Sequence, residues 1–169
     1  TNAYNIPLLY KLDKAVDADL LIKAIGDTIS RHEVLHTLIK MKSDGSGYQE
    51  VVDLESQPFT IETIGIRDSE EYRQIIDSSV NYIFKLDREY PIRVNILLRE
   101  DTKEAYLLIT VHHIAFDGWS EDIFLRDVRG YYAYYVKVAN NEAAALDLPE
   151  LSIQYKDFAL WQRSYLTGE

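Results

Sequence analysis

Ala105-Tyr106-Leu107-Leu108-Ile109-Thr110-Val111-His112-His113-Ile114-Ala115-Phe116-Asp117-Gly118-Trp119-Ser120 is the stretch around which the rest of the chain is read. An apolar run, 105–111, drives straight into two histidines. Three apolar residues then lead to an Asp-Gly pair, and an amphipathic segment starts at Ser120. Alternation along a strand sends neighbouring side chains to opposite faces. It sets His113 on the face of Leu107, Ile109 and Val111, and His112 on the face of Leu108 and Thr110. One imidazole is therefore expected at a strand end, just ahead of a turn and a helix N-terminus.

Upstream of this strand, Pro91 precedes Ile92, Val94, Ile96 and Leu98, which alternate with Arg93, Asn95 and Arg99 as in a half-buried strand; 100–104 turns the chain back. Downstream of Gly118 a helix is expected to about Val138, striped by Phe124, Val128, Tyr131, Tyr132 and Tyr135, with Tyr134 off the stripe. A linker (139–150) and a last short helix (155–165) follow. Near the start, 6–12 reads as a strand that Pro7 confines to an edge. Asp17 caps a helix with Ala18, Leu21, Ile22, Ile25 and Ile29 at helical spacing. Gly26 weakens it by about 1 kcal/mol relative to Ala. The period changes near Arg31-His32: Leu35, Thr37, Ile39 and Met41 alternate with His36, Leu38, Lys40 and Lys42. A loop at 43–47 then returns 48–52 as a hairpin. A short strand is expected at 59–64, after Pro58. Asp68 with Glu71 forms a capping-box pattern, opening a helix with Tyr72, Ile75, Ile76 and Ile83 on one side. Strands and helices in this order imply a layered α/β (α+β) sandwich with a mixed, largely antiparallel sheet.

With 169 residues, 47% hydrophobic and 27% charged, the chain suits one domain or one lobe of a larger one. Its 18 basic against 28 acidic residues give a net charge of −10, which repels phosphate backbones and argues against nucleic acid as a partner. No cysteine is present, so disulfides and thiolate metal sites are excluded. The apolar runs fall far short of the roughly 20 residues that span a bilayer, and no signal-peptide pattern opens the chain. A cytoplasmic location without membrane contact is expected.

Three stretches carry further information. Arg31-His32-Glu33-Val34-Leu35-His36-Thr37 is similar to Arg-His-Glu-x-Leu-Arg-Thr, and His112-His113-Ile114-Ala115-Phe116-Asp117-Gly118 fits His-His-x-x-x-Asp-Gly completely. Tyr155-Lys156-Asp157-Phe158-Ala159-Leu160-Trp161 matches Tyr-x-Asp-Phe-Ala-x-Trp. In this order they resemble the condensation domains of nonribosomal peptide synthetases, within the chloramphenicol acetyltransferase-like superfamily. Tyr4-Asn5-Ile6-Pro7 and Phe84-Lys85-Leu86-Asp87 look like the same family. The resemblance implies that 1–169 is the N-terminal, donor-side lobe, with the C-terminal lobe absent. The implied activity is amide-bond formation between a carrier-tethered acyl or peptidyl thioester and a carrier-tethered aminoacyl amine. Implied partners are peptidyl and acyl carrier proteins, the C-terminal lobe and neighbouring synthetase modules. Phosphopantetheine arrives attached to the substrates; no directly bound cofactor and no metal are implied.

Carried over by position, His113 is the catalytic histidine. An imidazole titrating near pH 6.5 can take the proton of the attacking amine or hold the amine and stabilise the tetrahedral intermediate. Asp117 is implied to organise the site through a salt bridge, with Arg31 as partner, and Gly118 to supply an N–H beside the reacting carbonyl. His112 would be a packed or hydrogen-bonded support, and Trp161 a tunnel or lobe-junction residue. His36 stands where the family usually has Arg, which weakens any buried ion pair made there.

Other readings compete. His32-Glu33-Val34-Leu35-His36 satisfies the zinc-protease pattern His-Glu-x-x-His. That chemistry needs both histidines one turn apart on a continuous helix, whereas the helical period ends near His32. A free-standing acyltransferase lobe and a non-catalytic carrier-docking domain are the alternatives from other classes. Epimerisation domains share the double histidine, but the Arg31-His32-Glu33 stretch argues for condensation.

Overall fold

The structure, a computed structural model, describes residues 5–116, 119–146 and 148. The elements are β1 (Asn5–Leu12), α1 (Ala18–Arg31), a 3-10 turn (Glu33–His36), β2 (Thr37–Met41), β3 (Gly47–Val51), β4 (Glu62–Ile66), α2 (Ser69–Val80), β5 (Ile92–Arg99), β6 (Ala105–His112), a one-turn α3 (His113–Phe116) and α4 (Glu121–Ala139). Four strands form one sheet in the order β1-β6-β5-β4, and β2 with β3 forms a separate hairpin. β6 is antiparallel to both neighbours, while β4 runs parallel to β5 because α2 crosses over between them. Pro7 does lie on an edge strand, where its missing N–H costs no ladder bond.

Three layers result. On one face α1 and α4 bury Leu21, Ala24, Ile25, Ile29, Phe124 and Val128 against Ile92, Val94, Ile96, Leu107, Ile109 and Val111 of the sheet. On the other, α2 lays Tyr72, Ile75 and Ile76 over Ile66, Leu97 and Leu108. Side-chain oxygens cap α1, α2 and α4: Asp17 accepts from Leu20 N–H, Asp68 from Glu71 N–H and Ser120 from Ile123 N–H. The tyrosine stripe of α4 sews the two helices together. Tyr135 donates to Asp27, Tyr132 accepts from the Asp17 N–H at 3.0 Å, and Lys23 lies 4.3 Å over the Tyr135 ring. Tyr134 is half-buried against Tyr135.

Several boundaries differ from expectation. Leu35 and His36 belong to the 3-10 turn, not to a strand: the His32 C=O accepts from Leu35 N–H at 2.9 Å, and the tight turn sends both Val34 and Leu35 inward. The strand expected at 59–64 is Glu62–Ile66. Its first residues are held by side chains instead of a ladder, with Phe59 stacked on Tyr90 and the Tyr90 hydroxyl donating to the Gln57 C=O. α2 stops at Val80, capped by Asn81, so Ile83 leaves the helix and is 68% exposed. β5 is covered on both faces, not one, since α2 adds a second layer; Leu98, near its far end, is exposed. The helix expected at 155–165 lies outside the described residues.

Candidate active site at the end of the sixth strand

β6 ends at His112, and His113 opens the short helix α3. The alternation that set His113 beside Val111 therefore does not extend to it, because the backbone has already left the strand. Ile114 and Ala115 are 1% and 0% exposed, and Ala115 seats α3 in the large core, while His113 is half-buried. Trp119 joins the same core, edge-on to Phe124 at 5.1 Å. The turn that bears the histidines is thus anchored from both sides.

His112 is buried on the opposite face of the sheet, as alternation expects. Its N–H donates to the Pro91 C=O at 2.8 Å, and its Nδ1 accepts from the Ile114 N–H at 3.0 Å. An imidazole accepting at Nδ1 carries its proton on Nε2. Burial, with the neighbouring His113 adding to it, pushes His112 down to about 4. It is a neutral acceptor near pH 7, and it ties the strand end to the turn.

Arg31 and His32 end α1 and meet a carboxylate that the motifs did not point to. Asp127 of α4 is fully buried. It accepts from His32 Nε2 at 2.7 Å and from Arg126 at 2.9 Å, and lies 3.6 Å from the Arg31 guanidinium. Burial holds His32 below the usual imidazole range; Asp127 pulls the other way without overcoming it. A signal for Asp127 was available. It sits three residues after Phe124 and four before Tyr131, inside the apolar stripe, where a carboxylate needs a partner. Asp117, Gly118 and Trp161 lie outside the described residues, and so does the expected Asp117–Arg31 pair.

His36 is buried at the position where an arginine is usual. Its Nδ1 is 2.8 Å from the Val52 C=O and its Nε2 3.1 Å from the Ser30 C=O. It joins the end of α1 to the chain leaving β3. His32 and His36 thus serve different partners, one on α4 and one on backbone carbonyls, and do not converge as the zinc-protease pattern requires.

A family model described as Condensation domain matches residues 1–169. N-(5-amino-5-carboxypentanoyl)-L-cysteinyl-D-valine synthase of Penicillium rubens is 36% identical over 172 residues, covering 100% of this chain and 4% of that protein. The dimodular nonribosomal peptide synthase of Bacillus subtilis is 32% identical over 166 residues, covering 98% and 7%. The chain therefore spans only a small part of these relatives. Among solved structures, the epimerization domain from the third module of tyrocidine synthetase B superposes with a TM-score of 0.72 at 20% identity, over 97% of this chain and 36% of that one. The first condensation domain of the calcium-dependent antibiotic synthetase gives 0.71 at 18% identity, over 98% and 39%. At these identities the superpositions show the fold.

Proposed function

Since the chain belongs to the condensation-domain family, we propose that it forms the donor-side N-terminal lobe of a domain that joins carrier-tethered substrates through an amide bond. The fraction of each solved relative that it spans, 36% and 39%, supports the single-lobe reading. The amine nitrogen of the acceptor attacks the thioester carbonyl carbon; the C–N bond forms, the C–S bond breaks, and the amine proton ends on the departing thiolate. His113 holds the amine and relays that proton. Asp117 organises the turn with Arg31, and Gly118 offers its N–H to the developing oxyanion. His112 and Trp161 support the site. Phosphopantetheine comes in as part of each substrate, borne by carrier proteins of neighbouring synthetase modules in the cytoplasm.

The observation that carries this reading is the seating of the turn. Ile114 and Ala115 are buried while His113, between them and a buried neutral His112, is only half-buried. The test is His113→Ala in the full synthetase, with both carriers loaded and amide product followed by mass spectrometry. Loss of product with carrier binding intact supports the reading. Unchanged product formation refutes it, and a docking domain then becomes the better account. Residues 1–169 alone should bind a carrier weakly and make no amide until the second lobe is added; His113-dependent amide formation by the lobe alone would contradict this.

A further inference from the structure

We propose that Phe84 is a positioning residue for this reaction, its ring holding the His112 imidazole as acceptor for the Ile114 N–H and so fixing the turn on which His113 rides. The inference rests on the reading of His113 as the catalytic group.

Phe84 is 8% exposed, and its ring meets that of His112 edge to face, with centroids 5.7 Å apart and planes at 90°. Phe84 is itself held. Tyr82 packs edge-on to it at 5.0 Å, the Arg93 guanidinium lies 3.8 Å over the Tyr82 ring, and the Tyr82 hydroxyl donates to Glu89. Asn5 completes the arrangement: its side-chain amide donates to the carbonyls of Ser79, Val80 and Tyr82. Asn5 is also the cross-strand partner of His112 in the β1–β6 ladder. The segment 79–84 is therefore fastened to the same rung of the sheet as the imidazole it covers. Two connecting pieces far apart in sequence, around Asn5 and Phe84, converge on one histidine.

The consequence is chemical as well as steric. The Ile114 N–H can donate to His112 Nδ1 only while that nitrogen has no proton. His113 on α3 is an ionisable neighbour; Tyr82 lies behind Phe84, with Glu89 on its hydroxyl and Arg93 on its ring. Burial under Phe84 keeps the ring unprotonated at acid pH. A smaller side chain admits water, lets His112 protonate nearer the ordinary imidazole range, and releases the Ile114 N–H and the turn with it.

The test uses the full synthetase with Phe84→Leu and Phe84→Tyr, and amide formation measured from about pH 3 to about pH 8. In Phe84→Leu, kcat should fall about 100-fold, the loss a misplaced catalytic group can cause, with KM for the carriers unchanged. Its acid limb should move up by about one pH unit, and Phe84→Tyr should restore both. A Phe84→Leu enzyme that melts earlier but keeps its kcat and acid limb overturns the proposal. If Phe84→Leu does not fold, the unsubstituted chain decides by 15N NMR of its 4 histidines. His112 with its proton on Nε2 at pH 7 supports the proposal, and a proton on Nδ1 overturns it. Retained activity in His113→Ala would end the catalytic reading by a separate measurement.

Discussion

Asp127→Ala should be among the most damaging single changes in this chain. The carboxylate is 0% exposed and faces three donors: His32 Nε2 at 2.7 Å, Arg126 at 2.9 Å and Arg31 at 3.6 Å. His32 is held below the usual imidazole range, so near pH 7 it is a neutral N–H donor to the Asp127 carboxyl group. Removing one side of a buried charged network costs about 3–5 kcal/mol, because the remaining groups stay buried without their counter-charge. Against a typical domain stability of about 5–15 kcal/mol, that is a large share. At about 2–4 °C per kcal/mol for a domain of this size, the melting temperature should drop by about 10 °C. Asp127→Asn keeps the shape and one acceptor, so its cost should be smaller, about 1–3 kcal/mol. The assay is urea unfolding at pH 7 followed by tryptophan fluorescence, with Trp119 packed on Phe124 in the same core. A loss below about 1 kcal/mol for Asp127→Ala would refute the view that this carboxylate holds α1 to α4.

Stability should also depend on acid in a defined window. His112 titrates near 4 when folded and near 6.5 when unfolded, so the unfolded chain binds the extra proton between those values. Stability is then complete above about pH 6.5 and falls as pH drops toward 4, by on the order of 3 kcal/mol; His32 shifts in the same direction. Urea midpoints measured across that range check the slope, and His112→Asn should flatten part of it. Leu108→Ala, at a site 0% exposed between α2 and the sheet, should cost about 2–5 kcal/mol in urea unfolding with an unchanged m-value. Asp17→Ala removes the acceptor for Leu20 N–H and should cost about 1 kcal/mol in the same assay.

Much of the architecture was legible locally. The caps Asp17 and Asp68 work where their patterns put them, since a capping oxygen and its N–H lie three residues apart and need no tertiary help. The edge position of Pro7 and the hairpin around 43–47 followed from missing donors and turn chemistry in the same way. The errors cluster where a distant segment decides. Phe59 left the expected strand for the ring of Tyr90, and β5 acquired a second buried face from α2. Among the site residues, His112 and His113 were visible as a motif. Asp127 was not, although it left a trace as a carboxylate inside an apolar stripe; Asn5 and Phe84 stood in stretches that resemble the family, but their meeting at His112 was not legible.

The amino-acid order by itself determined the helices and strands, their buried stripes and the double histidine at the end of β6, because periodicity and capping act over a few residues. Only the tertiary structure decided that His113 leaves the strand to open a helix, that His112 turns its Nδ1 to the Ile114 N–H, and that Phe84 and Asn5 close around it. Those outcomes depend on which surfaces meet when the sheet is assembled. Residues 5, 84 and 112 come together through strand pairing and the return of the chain after α2, and no local pattern encodes so long a closure.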